Sequence, residues 1–189
     1  MSRTVASGAI HTMVVAALLS AVGIAIPMFS PIRLVLGPAS YTLASHVPIF
    51  IAMFLSPAVA VAVSLVTTLG FFLGGFPLVI VLRALTHVIF AALGAFWLRR
   101  CPNLLSGRGW LPFSLVISAL HALLEVLVVL PFYYGGGLSA ASYTSGFFTT
   151  VIVLIGAGGL VHSMIDFALA LWVWNAVRVS RGLRVGQGA

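Results

Sequence analysis

The sequence predicts an all-α integral membrane protein, a bundle of six transmembrane helices with an outward-facing substrate pocket. Of its 189 residues, 62% are apolar and 6% are charged, whereas about a quarter of the residues in a soluble globular protein carry charge. Apolar stretches close to the ~20 residues needed to cross a bilayer recur along most of the chain. The ionisable residues inside the later stretches are spaced so that they share helix faces.

Six apolar segments are predicted within one membrane domain, residues 1–189, because no polar stretch is large enough for a soluble domain. The first segment lacks a cleavage site followed by polar sequence, so we expect it to be retained. The apolar stretch from His46 to Gly75 is too long for one comfortable span, and two helices are expected to meet at Ser56 and Pro57. The predicted helices cover residues 9–28, 43–55, 57–74, 78–98, 111–130 and 150–177.

Residues 29–45 are too rich in proline and glycine for a plain helix and too apolar for a free loop. We expect this segment to fold back over the bundle as a cap. Arg33 within it either closes over a ligand or anchors the segment at the lipid headgroups.

The net charge of +7 comes from nine arginines and no lysine, most of them between or beyond the apolar segments. This distribution of arginines is a signal of membrane topology. The sequence has no basic face interleaved with exposed aromatics, so it does not indicate nucleic-acid binding. Six spans with both termini in the cytoplasm fit the charges, and five spans with the N-terminus outside fit equally well. The break at Ser56 favours six. The arginines then placed in the cytoplasm are Arg3, Arg99, Arg100, Arg108, Arg178, Arg181 and Arg184.

Three pairs of polar residues stand four positions apart inside the later apolar segments. A spacing of four puts both members of a pair on one helix face, and a charged side chain at membrane depth costs at least about 2.5–3.5 kcal/mol. All three faces are therefore expected to turn inward and to line one pocket that opens to the outside. The pairs are Arg83 with His87, His121 with Glu125, and His162 with Asp166.

Arg83 and Glu125 are predicted at the same depth in this pocket, which leaves two interpretations open. Arg83 either grips the carboxylate of a ligand bidentately, or it forms a structural ion pair with Glu125 that needs no ligand. His87 or His121 would hydrogen-bond to a ring nitrogen or an amide of the ligand.

The remaining candidate residues also have both a functional and a structural interpretation. Tyr133 and Tyr134 would stack on the ring of a ligand or serve as interfacial anchors. His162 and Asp166 would either take part in substrate binding or only pair with each other, so that neither is left without a polar partner. Ala17 and Ala21, on the first helix, form a small-residue strip suited to close helix packing, either within the bundle or against a partner.

Four short stretches carry a resemblance to a known family: residues 45–48 (SHVP), 55–57 (LSP), 67–71 (TTLGF) and 83–87 (RALTH). Together with the length and segment layout, they resemble the substrate-binding S component of energy-coupling-factor vitamin transporters, most closely the niacin-type members. Ala17 and Ala21 match the AxxxA strip with which such components dock on their coupling subunit.

This resemblance implies a protein of the cell membrane that binds a vitamin or a related small molecule from outside at high affinity, with niacin as the first candidate. It further implies a transmembrane coupling subunit and two ATPase subunits as partners. The chain has no GxxxxGK[ST] loop, so the energy must come from those partners. No cofactor and no metal are predicted.

The residues alone raise two competing functions, metal uptake and intramembrane hydrolysis. Three histidines at one level permit a transition-metal site and a role in metal uptake, although no His-x-x-His or cysteine spacing supports it. An intramembrane hydrolase would need an activated nucleophile; Ser118 lies near His121 and Ser163 beside His162, but no third partner is identified. The chain is therefore not expected to be an enzyme.

Overall fold

The computed structural model describes the backbone of residues 2–36 and 39–181, and the side chains of residues 8–34 and 39–178. Strands β1 (Arg33–Leu36) and β2 (Ala39–Thr42) form an antiparallel hairpin. A π-helical segment, Phe148–Gly158, runs directly into the last helix, and Pro102–Leu105 form a short 3-10 helix. The α-helices are α1 (Ser2–Phe29), α2 (Val47–Leu55), α3 (Pro57–Leu73), α4 (Leu78–Arg100), α5 (Trp110–Tyr134), α6 (Ala140–Thr144) and α7 (Gly159–Arg181).

Within the part of the chain that the structure describes, four stretches of helix are long and apolar enough to cross a membrane, and α3 is a shorter apolar helix. The prediction of a helical membrane protein is confirmed at this level. The four stretches are Gly8–Phe29, Leu78–Arg100, Trp110–Tyr134 and Phe148–Arg178.

The break between α2 and α3 lies at Ser56, where the sequence predicted it. Ser56 is extended (φ −170°, ψ 160°), and its hydroxyl oxygen accepts a hydrogen bond of 3.2 Å from the backbone N–H of Val59. Pro57 follows as the first residue of α3, where its missing N–H costs no helical hydrogen bond. The local sequence therefore ends one helix and caps the next at the same residue.

The cap predicted over residues 29–45 contains the hairpin, which the sequence did not predict. Leu34 pairs with Tyr41, and Arg33 pairs with Thr42. The second helix begins at Val47 and not at residue 43, because Ala44 has a left-handed φ of 68°. A residue in that conformation cannot continue a right-handed helix.

Helix α5 continues through Pro131 to Tyr134, although the sequence predicted that it ends at this proline. A proline removes one backbone hydrogen bond from a helix, and aromatic packing holds the last turn in place here. The ring of Tyr133 lies 5.1 Å from that of Tyr143 and 5.4 Å from that of Phe147, between centroids.

The hydrophobic core lies along α2, which packs against α4 and α7. Phe50 is fully buried, with its ring centroid 5.7 Å from that of Phe90 and 5.1 Å from that of Phe167. Polar residues cluster on one side of this core. They lie toward the end of the bundle at which α1 and α5 end, α4 begins and the hairpin sits, which we call the hairpin end.

Candidate functional site

A cavity of about 140 Å³ lies beneath the hairpin, among α1, α3, α4 and α7. An engineered apolar cavity of about 150 Å³ in another protein holds benzene, so this cavity has room for one six-membered ring. One wall is apolar and includes Ile49, Ile80 and the stacked rings of Phe71 and Phe76. The ionisable and hydroxyl side chains of the lining are Arg33, Ser40, Tyr41, Thr42, Ser45, His46, Thr67, Arg83, His87, Glu125 and His162.

Arg83 of α4 and Glu125 of α5 form a bidentate ion pair at the wall of the cavity. Arg83 Nε donates to Glu125 Oε1 at 3.0 Å, and Arg83 Nη2 donates to Glu125 Oε2 at 3.1 Å. Both side chains are nearly buried, with 12% and 6% of their surface exposed. The pair engages one edge of the guanidinium and leaves Nη1 for a ligand. The two interpretations of Arg83 are thus compatible with each other.

Four histidines from four parts of the chain meet beside this pair. His46, immediately before α2, lies at their centre: its ring centroid is 5.0 Å from that of His87, 4.7 Å from that of His121 and 5.0 Å from that of His162. His87 and His121 are also neighbours, with centroids 5.0 Å apart. The histidines thus form one contiguous cluster at the inner end of the cavity.

Two of these histidines are buried without hydrogen-bond partners among the residues that the structure describes. Neither ring nitrogen of His87 or His121 makes a hydrogen bond. His121 Nε2 lies 3.5 Å from Glu125 Oε1, which is longer than an ordinary hydrogen bond. Leaving a buried polar group unpaired costs about 1–3 kcal/mol, and a water molecule, an ion or a ligand can supply the missing partner.

Asp166 of α7 fastens the segment that carries His46. One of its oxygens accepts the backbone N–H of Ala44 at 2.7 Å, and the other accepts the backbone N–H of His46 at 2.9 Å. The second oxygen also contacts His46 Nδ1 at 2.9 Å and accepts the Ser45 hydroxyl at 3.4 Å. Asp166 is fully buried. Its role in the structure is to position His46 and the end of the hairpin.

Tyr41 of β2 closes the cavity from above. Its hydroxyl donates to the backbone carbonyl of Leu154 in the π-helical segment, and its ring packs against His162, with centroids 5.5 Å apart. Burial raises the pKa of Tyr41, so the hydroxyl stays protonated as a donor. A Cβ at Gly158 would collide with this hydroxyl, and one at Gly159 would lie 3.2 Å from Glu125 Oε2. Two glycines therefore allow these close approaches.

The structure brings together most, but not all, of the residues that the sequence grouped as substrate-binding. Tyr133 and Tyr134 do not line the cavity and pack with Phe147 near α6. The aromatic surfaces that the cavity does offer belong to Tyr41, Phe71 and Phe76. Arg33, Arg83, His87, Glu125 and His162 line the cavity, and the buried side chains of His121 and Asp166 contact lining residues from behind.

No sequence pattern marks His46, Ser45 or Tyr41 as a binding residue. His46 precedes an apolar helix and has no ionisable partner four positions away, so its sequence pattern is that of an interfacial residue. Its place at the centre of the cluster follows from contacts with residues more than a hundred positions further along the chain.

Ala17 and Ala21 lie exposed on the outer face of α1. The inner face of α1 meets α3 through other residues: a Cβ at Gly23 would lie 2.9 Å from Thr67 Oγ1, and Ile24 packs over Gly70. The alanine strip is thus not the surface that packs α1 against α3.

Comparison with known proteins identifies a similar transporter. The niacin transporter NiaX of Lactococcus lactis subsp. cremoris is 43% identical over 169 residues, which are 89% of this chain and 75% of the relative. No protein-family model and no solved structure matches the chain.

Proposed function

This chain belongs to the family of the niacin transporter NiaX, and from that premise we propose that it is the niacin-binding S component of an energy-coupling-factor transporter. The observation that supports this most directly is the cavity with room for one ring, walled by an arginine and a histidine cluster. Niacin is a pyridine ring that carries one carboxylate. The cavity offers a partner for each of these parts.

The carboxylate of niacin would bind Arg83, and its ring would lie against the apolar wall. Arg83 Nη1 is not engaged by Glu125, and a guanidinium pairs well with carboxylates in a weakly hydrated site. Phe71 and Phe76 supply aromatic surface, and Tyr41 covers the cavity from the hairpin. The ring nitrogen would face the histidines at the inner end.

In the proposed topology, six helices span the membrane and the cavity opens to the outside. The hairpin end carries the cavity, and the opposite end carries Arg99 and Arg100 at the end of α4 and Arg108 before α5. Because arginines concentrate on the cytoplasmic side, the hairpin end then faces outward and both termini lie in the cytoplasm. Helices α2 and α3 together would form two of the six spans.

The proposed partners are a transmembrane coupling subunit and two ATPase subunits. The chain has no phosphate-binding loop of its own, so uptake against a gradient needs energy from other subunits. The exposed strip of Ala17 and Ala21 on α1 supports a docking role, because small residues let another helix approach closely.

The proposed function predicts that the detergent-purified protein binds nicotinate without ATP. Calorimetry should show one nicotinate per chain, and nicotinate should raise the unfolding temperature because it binds only the folded form. Nicotinamide, which lacks the carboxylate, is the matched control ligand. It should bind about 10- to 150-fold more weakly, because a hydrogen bond to a charged group contributes roughly 1.5–3 kcal/mol. A protein that ignores nicotinate but responds to another vitamin would contradict the assignment.

Bulky substitutions in the alanine strip should separate transport from binding. We expect Ala17→Trp and Ala21→Trp each to abolish nicotinate uptake by cells that contain the coupling subunit and ATPases, and to leave nicotinate affinity within about twofold. Val116→Trp, at an exposed position on α5, is the control and should keep both. If the alanine variants lose binding, the strip supports the fold and the docking proposal is wrong.

A further inference from the structure

Three histidines at the inner end of the cavity are placed as a metal site would require. His46, His87 and His121 each offer one ring nitrogen, and these three atoms lie within 4.8 Å of one another. All three side chains are buried. An imidazole nitrogen coordinates a zinc-like ion at ~2.0–2.1 Å. Rotation of the three rings would bring their nitrogens to this distance from one shared ion.

The hydrogen bonds around these histidines leave nitrogens available for coordination. Among the described residues, neither ring nitrogen of His87 and not Nδ1 of His121 has a polar partner, and His121 Nε2 has only the 3.5 Å contact with Glu125 Oε1. A coordinated ion satisfies such a nitrogen without a proton, because the neutral imidazole binds metals through its lone pair. The unpaired nitrogens thus constitute a second observation, independent of their mutual distances, that points to a ligand.

Two carboxylates stand behind the histidines in the manner of outer-shell partners. Asp166 Oδ2 lies 2.9 Å from His46 Nδ1, which leaves Nε2 of His46 for an ion. Glu125 Oε1 lies 3.5 Å from His121 Nε2, which leaves Nδ1 of that ring. Metal-binding histidines almost always place their second nitrogen against a carboxylate, carbonyl or water, which fixes the tautomer and the ring orientation.

A second group, His46 with His162 and Asp166, also has its atoms within 4.8 Å. Its members already satisfy one another, because Asp166 contacts His46 Nδ1 and holds the backbone N–H groups of Ala44 and His46. An ion there would compete with these bonds. The group that contains the unpaired His87 and His121 is therefore the favoured one.

The buried charges around the cavity also favour a cation. With neutral histidines, Arg83 contributes one positive charge, and Glu125 and Asp166 contribute two negative charges, so the site has one net negative charge. A nicotinate anion would add another, and uncompensated charge is costly at membrane depth. A divalent ion together with one nicotinate brings the site to neutrality. Arg33 lies at the exposed mouth of the cavity. Water screens its charge, so Arg33 offsets the buried negative charge less than Arg83 does.

We propose that His46, His87 and His121 bind a divalent transition-metal ion of the zinc, cobalt or nickel type, and that nicotinate completes its coordination. His46 and His87 line the cavity, so an open coordination position faces the vitamin. Three protein nitrogens and one exchangeable ligand are the arrangement of an open zinc site. The identity of the vitamin rests on the proposed function, whereas the metal site rests on the histidines.

The test uses the full chain in detergent, with any polyhistidine tag removed. A strong chelator strips the protein, and calorimetry then follows titration with Zn²⁺, Co²⁺ or Ni²⁺; bound Co²⁺ also gives a visible absorption spectrum. We expect one ion per chain, and a nicotinate affinity at least about tenfold higher in metal-loaded than in stripped protein. His87→Ala and His121→Ala should each lose the ion. His11→Ala, at an exposed histidine on α1, should retain it.

The outcomes separate the two proposals. If stripped and metal-loaded protein bind nicotinate with the same measurable affinity, nicotinate does not complete the coordination of an ion, and the niacin proposal stands. If wild type retains no more metal than both histidine variants, the metal site is wrong whatever the nicotinate result. If the ion binds but nicotinate binds in neither state, the niacin proposal is wrong, and the shared coordination falls with it. The assignment of the ligands would also be wrong if His87→Ala or His121→Ala retained the metal as a monodisperse and thermally stable protein.

Discussion

Arg83→Met is expected to lower the free energy of unfolding by about 3–5 kcal/mol and to abolish nicotinate binding. The substitution leaves Glu125, 6% exposed, without the guanidinium that pairs both of its oxygens, and an uncompensated buried charge is strongly destabilising. Denaturation in mixed micelles measures the stability, and calorimetry measures the binding. Arg99→Met, at an exposed position on the same helix, is the control and should change stability by no more than about 0.5 kcal/mol.

A double substitution distinguishes ligand binding from a purely structural pair. Replacing both members of a buried ion pair by apolar residues of similar volume is often neutral or stabilising, so Arg83→Met with Glu125→Leu should regain most of the lost stability. If Arg83 binds the carboxylate of niacin, the stable double variant still fails to bind nicotinate. A stable double variant that binds nicotinate with wild-type affinity would show that the pair is only structural.

Asp166→Ala is expected to destabilise the protein by several kcal/mol and to weaken nicotinate binding. Its two oxygens accept the buried N–H groups of Ala44 and His46 at 2.7 and 2.9 Å, and each donor left unpaired costs about 1–3 kcal/mol. The same substitution frees the His46 ring, so the cavity loses its inner wall. Thermal unfolding in detergent and nicotinate calorimetry measure the two effects.

A neighbouring residue supplies the control for Asp166. Ser163 is fully buried on the same helix, and its hydroxyl has no hydrogen-bond partner among the described residues. Ser163→Ala removes no hydrogen bond, so it should leave nicotinate binding unchanged and should not lower the stability. Asp166→Asn keeps the shape and one acceptor oxygen, so it should fall between wild type and Asp166→Ala. Wild-type stability of Asp166→Ala would mean that the segment before α2 is held by other contacts.

The helical framework followed from the sequence because each of its signals is local. Ser56 and Pro57 end one helix and cap the next whatever surrounds them, and long apolar segments have few alternatives to a helix in lipid. The hairpin was not predicted, because strand pairing in residues 33–42 depends on packing over the cavity. The extension of α5 past Pro131 likewise depends on the contacts of Tyr133 with Tyr143 and Phe147.

The candidate site was predicted only in part, because some of its residues carry a local signal in the sequence and others are placed by tertiary packing. Arg83, Glu125 and Asp166 stand out because hydrocarbon rejects charge, and a spacing of four places each beside a histidine. His46 carries no such signal, and Tyr133 and Tyr134 are an aromatic pair whose direction the sequence does not fix. Which ring faces the cavity was decided by the hairpin, which places Tyr41 there.

The sequence by itself determined that this is a helical membrane protein whose charged side chains within the later apolar segments must face inward, because the bilayer penalises any other arrangement. Only the tertiary structure decided how those side chains combine. It pairs Arg83 with Glu125 across two helices, and it sets His46 against Asp166 from 120 residues away. Contacts at such separations depend on the relative depth and rotation of packed helices, which no local pattern specifies.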